Sequence, residues 1–164
     1  MSEHIYSRLK VSKTHGVKLC LFCEQSITLY DRHTWSIINN SSCFYLVRSM
    51  SINGTNTLIL FHRELLALKD GEIYDHKNGN GLDNRIKNLR PATHGENMCN
   101  QVIYKNNTSG VKGVSWHIRN KKWCARIQCD EVPLILGYFD DIKEAEKVVR
   151  AKREELHGEF CNHG

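Results

Sequence analysis

At 164 residues, with 25% charged and 40% hydrophobic side chains, the chain has room for one ordinary domain or two small ones, and its composition excludes wholesale disorder and fibrous repeats. Its longest apolar runs, such as Leu58-Ile59-Leu60-Phe61 and Cys43-Phe44-Tyr45-Leu46-Val47, fall far short of the roughly 18 residues that cross a bilayer, which excludes a membrane span. The formal charge is +5, and residues 105–129 hold six Lys or Arg and no Asp or Glu, a concentration that suits a polyanionic partner.

The opening MSEHIYSRLK lacks the apolar stretch of a secretory signal, so the protein is expected in the cytoplasm. Seven cysteines, an odd number, then point to free thiols. Cys20-x-x-Cys23 with His33 or Cys43 gives half a zinc pattern, but a second closely spaced pair is missing, and buried thiols are the preferred reading over structural zinc. Residues 1–26 carry no readable role.

From about Asp31 to Phe61 the chain is rich in Thr, Ile, Tyr, Val, Leu and Trp, interrupted at Asn39-Asn40-Ser41-Ser42 and Asn53-Gly54-Thr55-Asn56, which predicts strands separated by turns. Residues 77–88, KNGNGLDNRIKN, predict a long ordered loop. After the short strand Leu89-Arg90-Pro91-Ala92, Thr93 and Glu96 form a capping box that starts a helix running to about Tyr104. Residues 105–110 are polar and predict a linker. Val111–His117, Lys122–Cys129 and Leu134–Phe139 predict an antiparallel meander, with a turn at Arg119-Asn120-Lys121. Asp141 and Glu144 predict a second capping box, and Ile142, Ala145, Val149, Lys152 and Leu156 recur at helical spacing before Gly158. The fold class expected is α+β.

Chemistry concentrates around Asp75-His76, Asn88-Leu89-Arg90 and Asn97. Carboxylate and amide oxygens are hard ligands suited to Mg²⁺ or Mn²⁺. An imidazole of ordinary pKa can accept a proton from water attacking a phosphodiester. The string IYDHKNGNGLDNRIKNLRPATHGEN resembles the HNH nuclease motif in its ββα-metal form, closest to HNH homing-type endonucleases. The resemblance implies Asp75 and Asn97 as metal ligands, His76 as general base and Asn88 as the residue bracing the loop. It also implies double-stranded DNA as the substrate; the sequence leaves the oligomeric state open, with a monomer favoured. His62, in a segment similar to one that precedes this motif, along with Arg90 and His94, lies near the expected site.

Residues 107–161 resemble a DNA-binding domain of the APETALA or ethylene-response-factor (ERF) type, through Gly113-Val114, Trp116, Lys122-Trp123, Ala125-Arg126-Ile127, Leu136-Gly137-Tyr138-Phe139 and His157-Gly158-Glu159-Phe160. That resemblance implies a three-stranded sheet in the major groove and DNA contacts from Lys112, Trp116, Arg119, Lys121, Trp123 and Arg126. Ser115 stands where that family carries Arg. Cations interleaved with Trp also suit a sequence-independent hold on phosphates.

The expected layout is therefore an N-terminal segment at 1–26, a β-rich HNH nuclease unit at 27–104, a linker at 105–110, and an ERF-like unit at 111–164 with three antiparallel strands on one helix. The function expected is metal-dependent DNA cleavage, with a phage or mobile-element homing role implied by the resemblance. The alternative is a DNA-binding regulator or degenerate nuclease that binds without cutting.

Overall fold

Residues 4–40, 43–103, 106–129 and 132–164 are described by a computed structural model. Strands and helices are mixed in an α+β arrangement of small antiparallel sheets. The chain forms two units, one ending at Ala92 and the other beginning at Thr93. The sequence-based layout instead set its linker at 105–110; Tyr104 and Lys105, where that layout ends the helix and begins the linker, lie outside the described residues. So do Ser41 and Ser42 of the first expected turn.

The N-terminal unit begins with a hairpin of β1 (Tyr6–Ser12) and β2 (Gly16–Phe22), in register from Tyr6↔Phe22 to Ser12↔Gly16. Side chains alternate across a strand, so Cys20 and Phe22 enter the core while Leu9, Val11, Val17 and Leu19 are exposed on the opposite face. Helix α1 (Glu24–Arg32) follows. It occupies Asp31 and Arg32, where the composition suggests the start of a strand. Its N-cap is Cys23, whose main-chain N–H donates to Ser26 Oγ at 2.8 Å, a role for which Ser, Thr, Asp and Asn are the usual signals.

Strands β3 (Ser36–Asn40), β4 (Cys43–Ile52) and β5 (Thr55–Leu60) make a three-stranded sheet. Asn53 and Gly54 both have positive φ, 50° and 77°, the requirement of the tight turn that Asn-Gly favours between paired strands. Helix α2 (Phe61–Leu65) is tied to β4 by Arg48, whose Nε and Nη2 reach the two oxygens of Glu64 at 2.6 and 2.8 Å. Cys20, Phe22, Ile27, Trp35, Ile37, Leu46, Phe61 and Leu82 form the core. A last hairpin, β6 (Ile73–His76) with β7 (Leu89–Ala92), completes the unit.

The C-terminal unit starts with α3 (His94–Cys99), shorter than the sequence predicts. The expected capping box is present: Glu96 N donates to Thr93 Oγ1 at 3.2 Å, and Thr93 N to Glu96 Oε2 at 2.7 Å. Strands β8 (Val114–His117), β9 (Lys122–Cys129) and β10 (Val132–Phe139) form a sheet with β9 in the middle, covered by α4 (Ile142–His157). Val114, Ala125, Ala145 and Val149 are its buried core. Asp141 caps α4 through Lys143 N at 2.9 Å, one residue earlier than a capping box with Glu144 uses.

Candidate active site

Asp75 and His76 end β6, and the loop that follows is held from three directions. Within the loop, Asn88 Nδ2 donates to Asn78 Oδ1 at 3.0 Å and to Asp83 O at 2.8 Å, while Asn78 N donates to Asn88 Oδ1 at 3.2 Å. Asp83 is fully buried and takes Arg85 Nε and Nη2 at 2.7 and 2.6 Å and Asn78 Nδ2 at 2.8 Å. Those donors hold its carboxyl below the usual range against the opposing effect of burial. From outside, β2 supplies an edge: Leu21 N donates to Leu82 O at 2.9 Å and Asn84 N to Leu21 O at 2.8 Å. The segment without a readable role thus buttresses the loop. Finally, Cys43 Sγ on β4 accepts from Gly81 N at 3.1 Å and donates to Gly79 O at 3.4 Å.

His76 is 5% exposed. Its Nε2 lies 3.5 Å from Asn84 Oδ1, and Asn84 Nδ2 is buried without a hydrogen-bond partner. Burial lowers the His76 pKa, opposed by the Asn84 contact and the charges of Asp75 and Asp83, so the imidazole is neutral at neutral pH. His62, at the start of α2, meets it edge to face with ring centroids 5.0 Å apart. Burial, with the nearby His76 and Arg63, pushes His62 down to about 3. Tyr45 closes this wall, its ring 6.1 Å from His62 and 5.9 Å from His76; burial, followed by Cys43 and Asp75, raises its phenol pKa.

Asp75 faces Arg90 across the hairpin. Arg90 Nε and Nη2 donate to Asp75 Oδ2 at 3.0 and 2.8 Å, with both side chains buried. Asp75, His76, Asn88, Arg90 and His62 therefore gather in the N-terminal unit, whereas His94 and Asn97 sit on α3 of the other. Sequence reasoning missed Tyr45, Cys43, Asp83 and Asn84. The last two lie in an Asn-rich loop whose composition signals only turns; Tyr45 and Cys43 reach the site through sheet packing, for which the local sequence carries no signal.

The donor set fits a hard divalent cation. The Asp75 carboxylate offers oxygen, a hard donor, which suits Mg²⁺ or Mn²⁺ rather than zinc. Among the described residues no cluster of three or more His, Cys, Asp or Glu forms a metal cage. Cys20, of the CxxC pattern, is buried in the core, and that burial raises its thiol to about 11.

In the C-terminal unit, Arg119 and Lys121 are exposed at the β8–β9 turn, and Arg126 is exposed on β9. Lys122 pairs with Asp140 at 2.9 Å. Lys112 is placed differently from the surface cation the sequence suggests: its Nζ donates to the carbonyls of Cys99, Gln101 and Asn162, and burial with the Arg153 charge lowers it to about 8. Register pairs Trp116 with Trp123 and Val114 with Ala125, so the two tryptophans share one face of the sheet, with Trp116 still 47% exposed. Trp123 packs on the core, and Trp116 stacks edge-on against it at 5.1 Å. The opposite face carries Ser115, His117, Lys122 and Arg126.

A family model described as HNH endonuclease matches residues 61–99, which contain α2, the β6–β7 hairpin, its loop and α3. Protein 3.8 of Escherichia phage T7 is 34% identical over 91 residues, covering 56% of this chain and 74% of that relative. The chain belongs to the family of this phage protein. No solved structure matches it. The HNH match stops at Cys99, so the ERF resemblance of the later residues rests on their sequence alone. No helix among the described residues is long and apolar enough to cross a membrane.

Proposed function

We propose that the chain is a metal-dependent DNA endonuclease that hydrolyses phosphodiester bonds. The observation that carries this reading is the buried His76, held neutral beside Asp75 on the strand that opens a braced loop, within the HNH match. Nε2 of His76 lies beside the Asn84 amide oxygen, which orients the imidazole assigned to accept a proton. A water oxygen forms a bond to phosphorus and its proton passes to the His76 imidazole, while the P–O bond to one sugar breaks and the leaving oxygen takes a proton from solvent water. Asn88 keeps the loop shaped for this step. Asp75 and Asn97 are assigned to hold Mg²⁺ or Mn²⁺, which when bound supplies charge stabilisation on the phosphate and leaving oxygen.

Residues 111–164 hold duplex DNA in the manner of an ERF-like sheet, with Arg119, Lys121 and Arg126 as phosphate contacts; this is supported by their exposure away from the packed helix. Lys112 and Trp123 serve the fold of that unit. A homing role follows from the resemblance, and a single site of this kind nicks one strand per binding event.

The test is conversion of supercoiled plasmid to open-circular or linear DNA with Mg²⁺ or Mn²⁺, repeated with chelator. Conversion that stops on chelation supports the reading. Binding in a gel shift without conversion, on plasmid and on DNA flanking the gene alike, favours the binding-only alternative.

A further inference from the structure

We infer that Arg90 is the positioning residue that fixes Asp75 for the divalent cation, an inference that rests on the nuclease reading above. Asp75 and Arg90 are direct cross-strand partners on β6 and β7. Two donors of one guanidinium, Nε and Nη2, converge on the single oxygen Oδ2 at 3.0 and 2.8 Å. Both side chains are only 7% exposed, so little water competes for either. Charge-assisted bonds of this kind are short and directional, and two of them on one oxygen hold the carboxylate against rotation. The pairing is also enforced by the fold, because the register of the hairpin sets Arg90 opposite Asp75.

Partners that hydrogen-bond a metal ligand fix its orientation, and losing one typically costs about 10–100-fold in metal affinity. A lysine at this position supplies charge but no fork. The alternative physical role is competition, in which the guanidinium only neutralises Asp75 and must yield when a cation arrives. The two roles predict opposite effects of removing Arg90.

Isothermal titration of full-length protein with Mn²⁺ separates them, using wild type, Arg90→Lys and Arg90→Ala, with folding of each checked by near-ultraviolet circular dichroism. The expected result is Mn²⁺ binding by wild type and about 10–100-fold weaker binding by both variants. If Arg90→Ala does not fold, Arg90→Lys carries the comparison. Wild-type affinity in Arg90→Lys, or tighter binding by Arg90→Ala, overturns the positioning role while leaving the nuclease reading intact. A wild-type protein that neither takes up Mn²⁺ nor cuts DNA overturns both, and the wild-type arm alone reveals that outcome.

Discussion

Asn88 and Asn78 clasp each other from opposite ends of the loop: Asn88 Nδ2 donates to Asn78 Oδ1 at 3.0 Å while the Asn78 main-chain N–H donates to Asn88 Oδ1 at 3.2 Å. The same Nδ2 also reaches Asp83 O, so one amide joins the start, middle and end of the segment that carries His76 into the site.

Asn88→Ala removes all three bonds and leaves the buried Asp83 carbonyl without this donor, a loss that costs about 1–3 kcal/mol for a buried polar group left unpaired, while water can replace the bonds to the exposed Asn78. Urea unfolding should show a loss of roughly 2 kcal/mol, and cleavage should fall with it. Unchanged stability together with wild-type cleavage would show that the clasp does not shape the site.

Gly81 tests the wall behind His76. A Cβ at this position would lie 2.5 Å from Phe44 O and 2.6 Å from two ring carbons of Tyr45, closer than real Cβ contacts come. Gly81→Ala must push the Tyr45 ring or the loop aside, and overpacking of this kind costs about 1–3 kcal/mol. Thermal unfolding should report the loss, and Gly81→Ala protein as stable as wild type would contradict the contact.

His62 gives a pH prediction with a definite sign. Its folded pKa of about 3 lies below the ordinary 6.5, so between those values the unfolded chain binds a proton that the folded protein does not. Stability is therefore full above about 6.5 and falls as pH drops toward about 3, by at most about 1.4 kcal/mol per pH unit for one proton. His76, lowered in the same direction, adds to the slope. His62→Gln should flatten the curve measured by melting between pH 7 and 4; an unaltered slope would mean that His62 is already protonated in the fold.

On the sheet of the C-terminal unit, the two kinds of residue should separate cleanly. Trp123→Ala opens a void beneath α4 and should cost about 3 kcal/mol of stability. Arg126→Ala should leave stability within about 0.5 kcal/mol and lower the slope of log affinity against log salt by about 1. Salt-dependent binding measurements on both variants, beside their melting curves, check this; a large stability loss in Arg126→Ala would place that side chain in the packing instead.

Much of this organisation is legible in the residues. Asn53-Gly54 announces its turn because few other pairs tolerate two positive φ values, and Thr93 with Glu96 announces a helix start because each side chain satisfies the other's main-chain donor. Asp75, His76, Asn88 and Arg90 are brought together by one hairpin and its loop, so their spacing in the chain already implies neighbourhood. Helix α1 is illegible because a cysteine caps it. The β1–β2 hairpin is hard to read because its apolar alternation points Leu9, Val11, Val17 and Leu19 toward solvent as well as Cys20 and Phe22 inward. Tyr45 and Cys43 arrive at the site from a strand some thirty residues upstream, and only tertiary packing reveals them. Trp123 is ambiguous for a similar reason: an aromatic on a two-faced sheet is equally suited to groove and core, and register decides.

The most direct test of the central claim is a paired measurement on His76→Ala: affinity for a cleavable duplex in chelator, and single-turnover cleavage of the same duplex after Mg²⁺ or Mn²⁺ is added. The account predicts affinity close to wild type with cleavage reduced by at least about 100-fold, the scale of a lost general base. Cleavage at the wild-type rate with equal binding would remove His76 from the chemistry and contradict the assignment.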